Sequence, residues 1–298
     1  MSQNENKNLN WYLKQAKDKK YAVPHFNFAS AEQLKAIVLG FKKVLDFYNL
    51  SYGDYALMVG TSEGEAKFLG YAEARKLVDA WKDETNLAIF LNADHHKSFD
   101  SCREAIKHGY DTVLIDASEM AFEENIKTTH GVVDYAKSIN PEITVEGELG
   151  YLRGESKIQE TVEIKPEDFT KPEKAKEFVE KTGVDRLAVV FGNIHGVVSK
   201  QEEKLDFSLL EKINKTVPNV YLVLHGGSGL SEKDFKKAIE NGITNIHINT
   251  EVRVAYREGL DKKLKESPQE TTPYKFLEGA VEEMEKVVEG KVRIFLNQ

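Results

Sequence analysis

Residues able to do acid–base or metal chemistry recur at one kind of place in this 298-residue chain, the far end of short apolar runs. The stretch 220–229, VYLVLHGGSG, shows the pattern: an apolar run, His225, then a Gly-Gly-Ser-Gly turn. A run of that length bounded by glycines reads as a buried strand. Gly226, Gly227 and Ser228 can aim backbone N–H groups at one point, as a phosphate at a helix N-terminus requires. A bare turn is the alternative reading of the same residues.

Comparable run ends supply His25 and Asn27, Thr61 and Ser62, then Asp94, His95 and His96. Further along come Asp116, Glu146 and Glu148, Asn193 and His195, and finally His247, Asn249 and Thr250. Six of the eight histidines fall in this set; only His108 and His130 lie in segments of helical period. One strand-end histidine is ordinarily a hydrogen-bonded structural residue. Several converging on one rim point to metal, and three imidazoles with an open fourth position are a catalytic zinc arrangement. Neighbouring carboxylates would orient those imidazoles or hold a second cation.

The elements that must position these groups alternate. Strand-like runs lie at 22–28, 56–61, 87–94, 112–117, 143–149, 186–192, 220–225 and 245–250. Helical segments follow at 30–48, 64–83, 99–108, 121–139, 172–182, 206–215 and 231–241, then 251–266 and 273–289. Near-continuous apolar strands separated by helices imply a parallel sheet covered by helices. Eight such units in a chain of this length predict an α/β fold, a (β/α)8 TIM barrel, whose working residues sit at the C-terminal ends of the strands. A Rossmann fold would carry a Gly-rich turn after its first strand, and none is present.

No fixed-period repeat or low-complexity linker divides the chain, so residues 1–298 read as one domain. Residues 1–20 are a covering helix, with Leu9, Tyr12, Leu13 and Ala16 on one face, and 273–298 are a C-terminal helix and tail that could pack on a partner or on the barrel itself. The polar segment 150–171 follows the fifth strand and reads as a mobile active-site loop.

Composition narrows the partners. The charge of -8 argues against nucleic-acid or acidic-membrane binding. A single cysteine, Cys102, permits no intrachain disulfide and reads as a buried structural thiol. The polar N-terminus has no secretory h-region and no run is long enough to span a bilayer, so the expected location is the cytoplasm. Phosphate in such barrels commonly binds the loops after strands seven and eight, here 226–229 and 249–250. A cation beside an anion cradle suggests metal-assisted chemistry on a sugar phosphate, the metal polarising a carbonyl.

The segments VPHFNF, DHHKSFDSCREAIKHGYDTVLIDAS, FEENIKTT, VEGELG, FGNIHG and LHGGSGL stand in the order seen in class II, metal-dependent fructose-bisphosphate aldolases, which they resemble over residues 9–260. They are equally similar to the tagatose-bisphosphate aldolases. The resemblance implies that His95, His195 and His225 bind a catalytic zinc and that Asp94 is the proton donor to the aldehyde oxygen. It implies that Asp116 and Glu148 serve a second divalent cation. Gly196, Gly226, Gly227, Ser228, His247, Asn249 and Thr250 would take dihydroxyacetone phosphate, with Asn27 and Ser62 as further contacts. A monovalent cation and a homodimer or homotetramer are implied in the same way.

The implied reaction is reversible cleavage of fructose 1,6-bisphosphate to dihydroxyacetone phosphate and glyceraldehyde 3-phosphate. The alternatives are a tagatose-bisphosphate or other ketose-phosphate aldolase, and a barrel that binds metal and sugar phosphate with little turnover.

Several positions depart from the family pattern. The loop glutamate that would remove the ketose C–H proton is Ser156, with Glu155 one residue earlier as its possible replacement. Arg153-Gly154 stands where the family reads Gly-Gly, and Ser199 with Lys200 where it has a lysine. His247 replaces an asparagine, and His25 an alanine.

Overall fold

A computed structural model describes residues 7–298; the first six residues of the N-terminal segment lie outside the described residues. Helix α1 (Leu9–Lys19) opens the described chain, with Asn8 accepting from Trp11 N at 3.1 Å as its cap. Its face of Leu9, Tyr12, Leu13 and Ala16 is buried. Then follow β1 (Val23–Asn27), α2 (Ala31–Phe47), β2 (Ala56–Thr61), α3 (Glu63–Leu69), α4 (Tyr71–Thr85), β3 (Ala88–His96), α5 (Phe99–Lys107) and β4 (Thr112–Ile115). The second half holds α6 (Phe122–Ile139), β5 (Thr144–Leu149), β6 (Gly154–Gln159), α7 (Pro172–Thr182), β7 (Arg186–Val189), β8 (His195–Val198) and α8 (Phe207–Thr216). Last come β9 (Tyr221–Leu224), α9 (Glu232–Glu240), β10 (Ile243–Ile248), α10 (Thr250–Glu266), α11 (Pro273–Phe276) and α12 (Glu278–Phe295).

Eight parallel strands close in the order β1-β10-β9-β7-β5-β4-β3-β2, the (β/α)8 barrel that the alternation of apolar runs and helices predicts. Side chains alternate along each strand. Outward residues such as Leu57, Leu91, Val113, Leu187, Ile246 and Ile248 bury against the helices. The helical segment 64–83 is broken at Gly70, whose φ of +95° ends α3 and starts α4. Helix α12 buries Ala280, Met284, Val288, Val292 and Phe295. It lies against α2 and α10, and Phe295 O accepts from Ala22 N at 2.9 Å, so it packs on its own barrel.

Two elements fall outside the eightfold count. Inside the 150–171 segment, β6 pairs in parallel with β8, with Gly154 opposite His195 and Ile158 opposite Val197. Arg153 grips Asp168 with two N–O contacts of 2.9 Å at the base of this segment.

The barrel interior is unusually polar. The common filling is bulky and branched; here Asn92, Thr112, Thr144, Glu146, Arg186 and Asn245 are buried inside it. Arg186 is 0 % exposed and reaches Glu146 Oε2 at 2.5 Å, Asn245 Oδ1 at 3.1 Å and the Thr112 hydroxyl. A buried guanidinium without an anion would be prohibitively costly, so Glu146 is its necessary counterpart.

Candidate active site

The strand ends build one mouth. Alternation predicts that Asp94 and His95 face opposite sides of β3. The ladder between β3 and β4 instead slips between Ala93 and His96, and His95 has φ +48°. A bulge of this kind re-aims side chains, and a non-glycine residue at such φ is a strained position of the sort found at functional sites. It brings both Asp94 and His95 into the mouth and turns His96 outward, buried against Tyr71 with ring centroids 6.0 Å apart.

Three imidazoles meet there. The rings of His195 and His225 lie 5.1 and 4.6 Å from that of His95. His225 Nε2 faces Glu146 Oε1 at 2.7 Å, which leaves Nδ1 for a ligand. Asn193 Nδ2 donates to His225 O at 2.9 Å and fixes that strand end. His95 Nδ1 faces Asp116 Oδ2 at 3.2 Å and Glu148 Oε2 at 3.3 Å, which leaves its Nε2. Carboxylates behind ligating imidazoles are the usual supporting arrangement of a metal site. Neither ring nitrogen of His195 is hydrogen-bonded among the described residues, and burial followed by the other two imidazoles pushes its pKa down to about 3. It is a neutral donor with a free lone pair.

Ligand atoms of Asp94, His95 and His225 lie within 4.8 Å of one another, as do those of His95, Asp116 and Glu148. Burial works against charge on His95, but Asp94, Asp116 and Glu148 outweigh it and hold its pKa well above the usual imidazole value. Burial likewise opposes charge on Asp116, yet His95 and Ser118 hold it below the carboxylate range, while burial and Asp116 raise Glu148. The donor set therefore calls for positive charge at this point, and the residues fit a divalent cation.

His247 lies deeper, stacked on His25 with centroids 3.7 Å apart and planes 8° apart. Asn245 Nδ2 donates to Val23 O at 2.8 Å, so its Oδ1, which also takes Arg186 Nη1, is an acceptor. His247 Nε2 lies 3.0 Å from that oxygen. Its other nitrogen, Nδ1, lies 3.1 Å from Asp94 Oδ1, a second acceptor. A neutral imidazole carries one N–H for these two acceptors. Burial, then His225, holds His247 well below the imidazole range, and His95 and His247 hold Asp94 well below the carboxylate range against burial. His25 is wholly buried; burial, then His247, drives it well below the imidazole range, so it is neutral.

On the opposite wall lies the turn at 226–228. Gly226 has φ +68°, and a Cβ there would overlap Ile194 O, so only glycine fits. Among the described residues, the N–H groups of Gly226, Gly227 and Ser228 make no backbone hydrogen bond. The N-terminus of α10, with Thr250 and Arg253 in its first turn, completes the wall. Asn249 Oδ1 is buried without a partner and lines the same cavity.

The cavity has a volume of about 140 Å³. Asn27, Ser62, Asp94, His95, His195, Gly196, His225, Gly226, Gly227, Ser228, His247, Asn249 and Thr250 all line it, and Asp116 and Glu148 stand behind His95. Glu155 is not brought in. Alternation on β6 turns it outward, with 71 % of its side chain exposed and Lys157 at 2.8 Å, while Ser156 turns inward onto Thr250 Oγ1 at 3.0 Å.

Two lining residues escaped the sequence reading, Glu65 and Arg253. Ser62-x-x-Glu65 is a capping-box signature that places Glu65 at the mouth of β2. Arg253 lies three residues after Thr250, on the same helix face.

This fold and this cavity are those of a metal-dependent barrel enzyme. The chain belongs to the family "Fructose-bisphosphate aldolase class-II", which matches residues 7–298, and so to the lyases. Fructose-bisphosphate aldolases of Staphylococcus epidermidis and Staphylococcus aureus are 35% identical over 283 residues, 94% of this chain and 93% of theirs. Among solved structures, the YdjI aldolase of Escherichia coli K12 superposes with a TM-score of 0.77 at 28% identity, covering 96% of both chains. A putative fructose-1,6-biphosphate aldolase of Coccidioides immitis shares the fold with a TM-score of 0.82 at 24% identity, over 98% of this chain and 96% of that one. Among the described residues no helix is long and apolar enough to cross a membrane.

Proposed function

We propose that this chain is a zinc-dependent aldolase that reversibly cleaves fructose 1,6-bisphosphate to dihydroxyacetone phosphate and glyceraldehyde 3-phosphate. The observation that carries the reading is the meeting of His95, His195 and His225 beside Asp94, opposite the cradle at 226–228. In this reading the three imidazoles hold zinc, and Asp116 and Glu148 orient His95 or hold a second divalent cation. The bound cation supplies Lewis-acid polarisation of the ketose carbonyl.

The protein's own groups do the rest. Gly226, Gly227 and Ser228, with the start of α10 and Arg253, take the phosphate of the dihydroxyacetone half. Asn249 Oδ1 accepts from a substrate hydroxyl. Asp94 exchanges a proton with the aldehyde oxygen. Asn27 Nδ2, 2.9 Å from Asp94 Oδ2, keeps the carboxyl aimed into the cavity.

The test is a retro-aldol assay with fructose and tagatose 1,6-bisphosphates, with and without chelator. Chelator-sensitive cleavage of the fructose compound is expected; activity on neither, with zinc bound, would refute the reading. Preference for the tagatose compound would move the proposal to that substrate.

A further inference from the structure

Aldol cleavage moves two protons, and Asp94 carries only one of them. Asp94 serves the oxygen of the aldehyde half. The other proton joins or leaves carbon, at the hydroxymethyl carbon of dihydroxyacetone phosphate. Ser156, at the position where a loop glutamate is expected, cannot serve: its hydroxyl lies 3.0 Å from Thr250 Oγ1 and 3.3 Å from Arg253 Nη1, and an alcohol is far too weak a base. Glu155 points into solvent.

The acidic side chains that line the cavity are Asp94 and Glu65. We infer that Glu65 is a second catalytic residue, which carries the carbon-bound proton; this rests on the aldolase reading. Asn27 Nδ2 lies 3.0 Å from Glu65 Oε2 and 2.9 Å from Asp94 Oδ2. One amide group thus donates both its hydrogens and holds two carboxylates side by side. The two protons belong to neighbouring carbons of the bond that breaks, so their carriers must themselves be neighbours. Ser62 N also donates to Glu65 Oε2, at 2.7 Å, and Oε1 has no partner among the described residues. Burial raises the Glu65 carboxyl above the usual range against the pull of these donors, which strengthens it as a base.

In the condensation direction Glu65 takes the proton as the C–H bond breaks. The electron pair forms a carbon–carbon double bond while the carbonyl pair moves onto its oxygen. That pair then returns, the new carbon–carbon bond forms to the aldehyde, and Asp94 protonates the aldehyde oxygen. Cleavage runs the same steps backwards, with Glu65 returning its proton to carbon.

Exchange of the hydroxymethyl C–H of dihydroxyacetone phosphate with deuterium oxide, followed by proton NMR without aldehyde, isolates this step in the zinc-loaded full chain. Glu65→Gln, which keeps the capping-box pattern, is expected to bind dihydroxyacetone phosphate normally and to exchange at least about 100-fold slower. Asp94→Asn is expected to retain exchange while losing cleavage. Added formate is expected to restore part of the exchange in Glu65→Ala, which a merely structural role would not allow. Should Glu65→Gln fail to fold, Glu65→Asp serves instead, and a wild-type exchange rate in it overturns the inference. So does exchange by Glu65→Gln within about threefold of wild type, or no rescue by formate. No exchange by the wild type overturns the aldolase reading along with the inference, a result distinct from any of these.

Discussion

Asp94 Oδ1 and His247 Nδ1 lie 3.1 Å apart, and His247 Nε2 lies 3.0 Å from Asn245 Oδ1, so one imidazole stands between two acceptors. The pair forms where two strand positions meet across the barrel, at the bulge of β3 and the inward face of β10. Asp94→Ala is expected to retain zinc and to lose nearly all cleavage, by about 100- to 10,000-fold in kcat. His247→Gln, which keeps a polar side chain but no titratable proton, is expected to lower kcat with little change in metal content. Steady-state kinetics beside metal analysis separates these outcomes. An active Asp94→Ala would remove this residue from the chemistry.

Arg186 and Glu146 are both 0 % exposed, and Glu146 also supports His225. Arg186→Met strands a carboxylate inside the barrel and is expected to cost about 3–5 kcal/mol. Urea denaturation measures it. Glu146→Gln in the same chain is expected to recover part of the loss, since it removes the unpaired charge. A near-neutral Arg186→Met would show that the ion pair is not what stabilises this core.

His25 is accommodated by the absence of a side chain at Gly60, where a Cβ would overlap His25 Nε2 and approach Asn92 O at 3.2 Å. Gly60→Ala is therefore expected to destabilise the fold by about 1–3 kcal/mol through overpacking. His25→Ala, which opens that space, should make Gly60→Ala much less harmful. Additive losses in the double variant, read from melting curves, would contradict the contact.

Glu203 accepts from Ile194 N at 3.0 Å, and burial pushes its carboxyl up to about 8. Its folded pKa exceeds the value of about 4.3 for an unperturbed glutamate. The folded chain therefore binds more protons than the unfolded chain between those limits, and this group's stabilisation declines as pH rises from about 4.3 to 8. Melting temperatures across pH 5–8 should fall more steeply in the wild type than in Glu203→Gln. Parallel profiles would place Glu203 in water.

Much of this was legible in the chain. Each of the eight strands was marked by an apolar run, because the outward face of every strand is buried under the helices. The strand-end histidines and the Gly-Gly-Ser turn pointed to one mouth by the same logic. Strands β6 and β8 were not legible: GESKIQ is exposed along most of its length, and nothing in its polarity marks a strand. The bulge at Asp94–His95 is a backbone event set by the neighbouring ladder, so alternation alone left one of the two facing away from the mouth. Arg186 and Asn245 read as charged and polar residues near strand starts, with no sign that they meet inside the barrel. Glu65 carried a signal in its capping box, but that pattern speaks for helix initiation and says nothing of what the side chain faces.

Arg253 Nη1 donates to Ser156 O at 2.9 Å, which ties the 150–171 segment to the start of α10. Arg253→Gln is expected to raise KM for the bisphosphate by about tenfold, the loss of one charge-assisted hydrogen bond. Its zinc content should not change. An unaltered KM would take Arg253 out of the phosphate site.

His95, His195 and His225 are proposed to hold the zinc that makes this barrel an aldolase. The most direct measurement is a titration of chelator-stripped protein with zinc, reading release of dihydroxyacetone phosphate from fructose 1,6-bisphosphate. No cleavage is expected in the stripped protein, activity should rise with added zinc and level off once the three-histidine site is filled, and His195→Ala should show none at the same zinc. Full cleavage by the stripped protein, or a zinc-filled wild type that leaves the substrate intact, would contradict the proposal.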